Sequence, residues 1–168
     1  GRSEDAVTLR RQAVGVDSAF AMAWRKLAVV PPQAGNFGAA EASDAAKRAY
    51  QFRDRLPAVE RGLTEAYYHN IVTGDQEKTE AAYRAVLAMN PDEPTSLNNL
   101  GLMLTVQGKA AEAEPLLRRL VGTTSMQSGM LNLFTALDAQ GKTAAADSVL
   151  AEFRRLYPES TRPDEMLR

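Results

Sequence analysis

Apolar residues recur at helical spacing along almost the whole of this 168-residue chain. Ala6, Leu9, Ala13 and Val16 stand 3, 4 and 3 apart and predict one amphipathic helix over 4–16. Asp17-Ser18 breaks it. A second helix is expected from about 20 to 30, carrying Trp24 and Leu27, and Pro31-Pro32 ends it. Proline has no amide donor and disfavours helix in the residue before it. Gln33 to Ala42 holds Gly35, Asn36 and Gly38 and reads as a loop. Ser43 or Asp44 can cap the next helix, which runs to about Leu56. Pro57 suits the first turn of a helix that reaches Thr73, and Gly74-Asp75 turns the chain into another ending at Asn90-Pro91. Two more pairs are expected, about 94–107 with 109–122 and 127–140 with 142–157. Pro115 inside the helix at 109–122 predicts a kink or a late start.

The punctuation between the helices repeats. Pro91 and Pro158 lie 67 residues apart, two repeats of 34 less one, with Gly108 and Gly141 between them. The best copy reads Leu97-x2-Leu100-Gly101-x2-Leu104 and then Ala113-x3-Leu117. The next supplies Ala146-x3-Leu150 and Pro158, and an earlier one begins Trp24-x2-Leu27-Ala28. The pattern resembles the tetratricopeptide repeat. That resemblance implies an all-α chain of antiparallel helix pairs stacked as a right-handed superhelix, an α-α solenoid of about four repeats. It implies one domain over 1–168: a partial repeat at 4–16, repeats at about 20–56, 58–91, 94–126 and 127–160, and a tail at 161–168. In such pairs a small residue of the first helix (Ala28, Gly101) faces a small one of the second (Ala46, Ala113, Ala146), so the axes approach closely. Tyr67 and Phe134 stand at the usual small site and Thr79 replaces an alanine, so those pairs are expected to be splayed or rotated.

Residues 46–75 resemble, more narrowly, repeat regions appended to bacterial serine/threonine protein kinases, transcriptional activators and adenylate cyclases. The matching residues are Ala49-Tyr50-x2-Arg53-Asp54-Arg55-Leu56, Glu60-Arg61, Tyr67-Tyr68 and Val72-Thr73-Gly74-Asp75, together with Asn98-Asn99-Leu100-Gly101. The resemblance implies a neighbouring signalling domain in a larger bacterial protein. None of a kinase's own signatures occurs in the chain.

Composition narrows the function. Twenty basic and 21 acidic residues give a net charge of −1, with no electrostatic footprint for nucleic acid or an anionic membrane surface. There is no cysteine, hence no disulfide and no thiolate metal site. No stretch approaches the roughly 18 apolar residues of a membrane span. The chain reads as a fragment of a longer protein, cytoplasmic or extracytoplasmic.

Catalytic chemistry finds little to work with. His69 is the single histidine and has no histidine or cysteine partner for a metal. Gly35-Asn36-Phe37-Gly38 lacks the Lys-Ser/Thr of a phosphate loop, and no serine sits in a nucleophile elbow. No metal, no cofactor and no turnover are expected. Trp24 fills a large core position of the repeat.

The resemblance implies a binding groove lined by the first helix of each pair. Its residues are Met22, Arg25 and Val29; Arg61, Thr64, Tyr68, Ile71 and Val72; Thr95, Asn98, Leu102, Thr105 and Val106; and Ser128, Leu131, Thr135, Asp138 and Ala139. A carboxylate clamp of the kind some such proteins use is excluded, because Ser128 and Asn132 stand where a lysine and an arginine are needed. A protein or peptide partner is expected, taken as an extended peptide or amphipathic helix with Asn98 and Arg25 fixing polar groups. The same apolar stripe can instead be inter-repeat core. A small-molecule sensor pocket around Tyr67, Tyr68 and the 31–42 loop is the alternative. The stripe at 4–16, lacking a partner helix, is expected to favour self-association.

Overall fold

The computed structural model describes residues 2–30, 38–123 and 126–162; for Arg2, Ser3, Glu4 and Ala6 it describes the backbone alone. Part of the expected 33–42 loop and nearly all of the tail therefore lie outside the described residues. Those that remain form nine α-helices and no strand. The chain divides into two compact units, Gly1–Met89 and Asn90–Arg168.

In the first unit, α1 (Arg2–Val16) packs on α2 (Ala21–Ala28), which pairs with α3 (Ala39–Gln51). After a short 3-10 turn at Arg53–Arg55, α4 (Ala58–Tyr68) passes through a π-helical turn, His69–Thr73, and pairs with α5 (Gln76–Met89). In the second unit α6 (Pro94–Val106) pairs with α7 (Ala110–Val121), and α8 (Met126–Asp138) with α9 (Thr143–Leu156). Helices α6 and α8 also touch, as successive first helices of stacked pairs do.

Local chemistry explains the boundaries. Gly74, Gly108 and Gly141 end the first helix of each of the last three pairs with φ of 69°, 77° and 69°, a left-handed conformation that glycine adopts without a Cβ clash. Pro94 occupies the first turn of α6, and both carboxylate oxygens of Glu93 accept from the amides of Thr95 (3.1 Å) and Ser96 (2.6 Å). Helix α2 ends at Ala28, short of the expected residue 30. The next helix begins at Ala39, ahead of Ser43 and Asp44; Glu41 Oε2 accepts from Gly38 N at 3.1 Å, and Asp44 pairs with Lys47 instead. Pro115 lies inside α7 without delaying its start.

The core follows the small-residue logic with corrected partners. A Cβ on Gly101 would lie 2.6 Å from Leu117 Cδ2, so Leu117, not Ala113, is the side chain that the glycine admits. Gly62 does the same for Val86, whose Cγ2 is 2.5 Å from that ideal Cβ. Gly129 admits α7 itself: its Cβ would meet Leu120 Cγ at 3.0 Å and Val121 N at 3.1 Å. Tyr67, at the usual small site, turns toward the preceding pair, packs on the cluster of Leu27, Ala28 and Ala46, and donates its hydroxyl to Ala28 O at 2.7 Å.

The face of α1 is a correction. Val7 is buried and Val14 packs on the same cluster, whereas Leu9 and Val16 of the expected stripe are 64% and 92% exposed. Both sets repeat at seven residues, and α2 takes the valine face.

Candidate interaction surface

In the first unit, Arg25 stands on α2 but is not open to a ligand. It is 9% exposed, and its Nε lies 2.7 Å from Glu60 Oε2 on α4, an ion pair whose alignment falls outside hydrogen-bond geometry. Thr64 is buried, and its hydroxyl donates to Glu60 O at 2.8 Å. Met22 is half-buried, while Val29 and Arg61 are exposed. Tyr68 is half-buried and stacks on Tyr50 of α3, ring centroids 4.0 Å apart at 14°, with His69 edge-on to both. Arg53 lies over the Tyr50 ring at 4.1 Å and bonds Glu65 at 3.2 Å. His69 Nδ1 lies 3.3 Å from Thr73 Oγ1 inside the π-helical turn. Burial pushes the Tyr67 phenol up from its ordinary pKa, which keeps it a neutral donor to Ala28 O.

In the second unit, Asn132 Nδ2 donates to Asn98 Oδ1 at 2.8 Å, and Asn98 Nδ2 donates to Asn99 Oδ1 at 3.0 Å. These carboxamides join α6 to α8 through residues 34 apart. Each amide nitrogen carries two hydrogens, so one on Asn98 and one on Asn132 lie outside these two bonds. Leu102 and Val106 flank the row on α6, 43% and 80% exposed. The Thr105 hydroxyl donates to Gly101 O at 2.8 Å and the Thr135 hydroxyl to Leu131 O at 3.1 Å, so both are engaged on their own helices. Asp138, Thr95, Ser128 and Ala139 are exposed.

Leu131 departs from its expected place. It is buried with Met130 and Phe153, and Asn132 holds the position opposite Asn98. The expected lining of the last two pairs repeats at 33 residues, as Gly108 and Gly141 do, whereas the asparagines are 34 apart. That second interval was the signal that would have placed Asn132.

Charges between the last two pairs converge on Glu114. Lys142 Nζ lies at 2.7 Å, Arg118 Nη2 at 2.9 Å and Gln140 Nε2 at 3.0 Å. The bonds from Lys142, Arg118 and Gln140 hold its carboxyl well below the ordinary value, at about 2. Among the described residues no group of three or more acidic or histidine side chains could hold a metal ion. No helix of the described residues is long and apolar enough to cross a membrane.

Antiparallel helix pairs closed by left-handed glycines and packed through small residues define a helical-repeat protein. The comparisons agree with that class: residues 75–127 match the family model of the tetratricopeptide repeat. A solved structure, a variant of a putative kinesin light chain of Podosopora anserina with nearly identical TPR-like repeats, aligns with a TM-score of 0.62. The alignment covers 96% of this chain and 90% of that one at 18% identity, a likeness of fold. No curated protein matches the chain. Repeats of this family serve in general as scaffolds for protein interaction, and the fold is in general non-catalytic.

Proposed function

We propose that the chain is a non-catalytic interaction module that holds an extended peptide along the first-helix face of its second unit. The observation that carries the proposal is the Asn98–Asn132 amide row with Leu102 and Val106 exposed beside it. A peptide backbone offers a carbonyl and an amide at each residue, and carboxamides satisfy both while apolar neighbours take alternate side chains. Asn98, Leu102, Thr105, Thr135 and Asp138 belong to this surface. In the first unit Val29, Met22, Arg61 and Tyr68 supply a second face, with Arg25 acting through its pair with Glu60 rather than on the ligand. The resemblance of residues 46–75 to kinase-appended repeats supports a place beside a signalling domain in a larger bacterial protein.

The probe is a displayed library of twelve-residue peptides selected on the intact chain. Selected peptides should lose at least tenfold in affinity for Asn98→Ala and for Leu102→Asp, and keep it for the exposed control Lys109→Ala. Peptides that bind all three variants equally would place the site elsewhere and sink the proposal. The sensor alternative gains nothing comparable: Tyr67 is committed to Ala28 O and Tyr68 to the Tyr50 stack.

A further inference from the structure

Helices α1 and α3 each pack on α2, and between them runs a cleft of about 850 Å3 that the peptide surface does not use. Trp24 and Leu27 of α2 line it, with Val14 of α1 and Ala45 of α3. The Trp24 indole is fixed because its Nε1 donates to Ser18 O at 2.8 Å. Its polar atom is thereby engaged, and its apolar surface is what remains for the cleft. The volume lies within the roughly 300–1,000 Å3 of small-molecule sites, which combine apolar walls with a few placed polar groups.

The rim decides which small molecule. Arg11 pairs with Glu41 at 2.9 Å and Lys47 with Asp44 at 3.0 Å, so two cations and two carboxylates cancel. Arg48 is different: its Nη1 donates to the neutral Gln51 amide at 3.3 Å. An apolar cleft with one guanidinium whose partner is a neutral amide suits one apolar tail bearing one anion. From Arg48 back to Glu41 is seven residues of α3, about 10 Å at a rise of about 1.5 Å per residue. A zigzag hydrocarbon advances roughly 1.3 Å per bond of about 1.5 Å, so a tail of about eight to ten carbons spans that length.

We propose that the α1–α3 cleft binds an amphipathic monocarboxylate of medium chain length, its tail on Trp24 and Leu27 and its carboxylate on Arg48. A carboxylate accepts two parallel N–H bonds from a guanidinium, a stronger acceptor than the Gln51 amide it would displace.

Trp24 is the chain's single tryptophan, so its emission reports this cleft without labelling. Decanoate and decan-1-ol, titrated into the intact chain at neutral pH with calorimetry in parallel, separate tail from headgroup. Decanoate should change Trp24 emission saturably. Arg48→Gln should weaken decanoate at least about tenfold, as the loss of a charge-assisted pair of bonds implies, and leave decan-1-ol unchanged. Arg48→Lys should restore part of the loss, and its thermal midpoint beside that of Arg48→Gln separates a binding defect from a folding one. Absence of saturable decanoate binding would overturn the proposal. So would equal weakening of both probes, or an Arg48→Gln chain that binds decanoate as before.

Discussion

Gly101 and Gly129 are the residues on which the second unit's packing turns. At Gly101 any side chain must displace Leu117, which is fully buried, and at Gly129 it meets the α7 backbone, which cannot rotate away. Gly101→Leu should cost roughly 1–3 kcal/mol, the usual cost of overpacking a tight contact. Gly129→Ala should also destabilise, by about 1–2 kcal/mol, despite the better helix propensity of alanine. Asn98→Leu, on the partly exposed amide row, should change stability by less than about 1 kcal/mol. Denaturant midpoints compare the three, and equal losses at Gly101 and Asn98 would contradict the contacts described. Ser96 is a contrasting case. It is wholly buried, and its hydroxyl has no hydrogen-bond partner in the structure. Removing an unsatisfied buried hydroxyl relieves a desolvation cost, so Ser96→Ala should be neutral or stabilising by about 1 kcal/mol. A clear loss of stability in the same measurement would mean that the hydroxyl is satisfied in solution.

At the scale of elements, Glu114 ties α7 to the loop before α9 through Lys142 and Gln140. Its folded pKa is depressed from 4.5 to about 2, so the unfolded chain takes up the proton first as pH falls. The contribution to stability is therefore complete above pH 4.5 and is lost as the pH falls toward 2. Allowing for solvent screening at a partly open site, it is worth about 1 kcal/mol. Glu114→Gln should be less stable than the parent by about that amount at pH 7, and the difference should close near pH 2. A gap that does not depend on pH would show that the glutamate acts by packing rather than charge. Asp75 and Glu152 are also lowered, by bonds from Lys78 and Arg155, but both are common to parent and variant and cancel in the difference.

For the whole molecule, the exposed Leu9 and Val16 on α1 are the feature that bears on association. Two such faces meeting would remove apolar surface from water at about 25 cal/mol per Å2, against a cost of association of several kcal/mol, so the contact should be weak. Light scattering at about 100 μM, where dissociation constants of tens of micromolar still populate a dimer, should show association that Leu9→Lys with Val16→Lys abolishes. A strictly monomeric parent under those conditions would rule it out. The positions of the paired helices were legible in the chain because their causes are local. The apolar period of 3.6 residues needs only neighbours a turn away, and a left-handed glycine at 74, 108 or 141 ends a helix wherever it falls. Asn98 was legible as a surface residue of a repeat, and its partner only through a 34-residue interval that coexists with a 33-residue one in the same pair. What only the tertiary structure decided was which of two equivalent faces is buried and which charge is neutralised. Val7 rather than Leu9 meets α2, Leu131 rather than Asn132 enters the core, and Arg25 is paired with a glutamate 35 residues away. Each of those outcomes depends on shape and desolvation between different helices, and periodicity along one helix is blind to both.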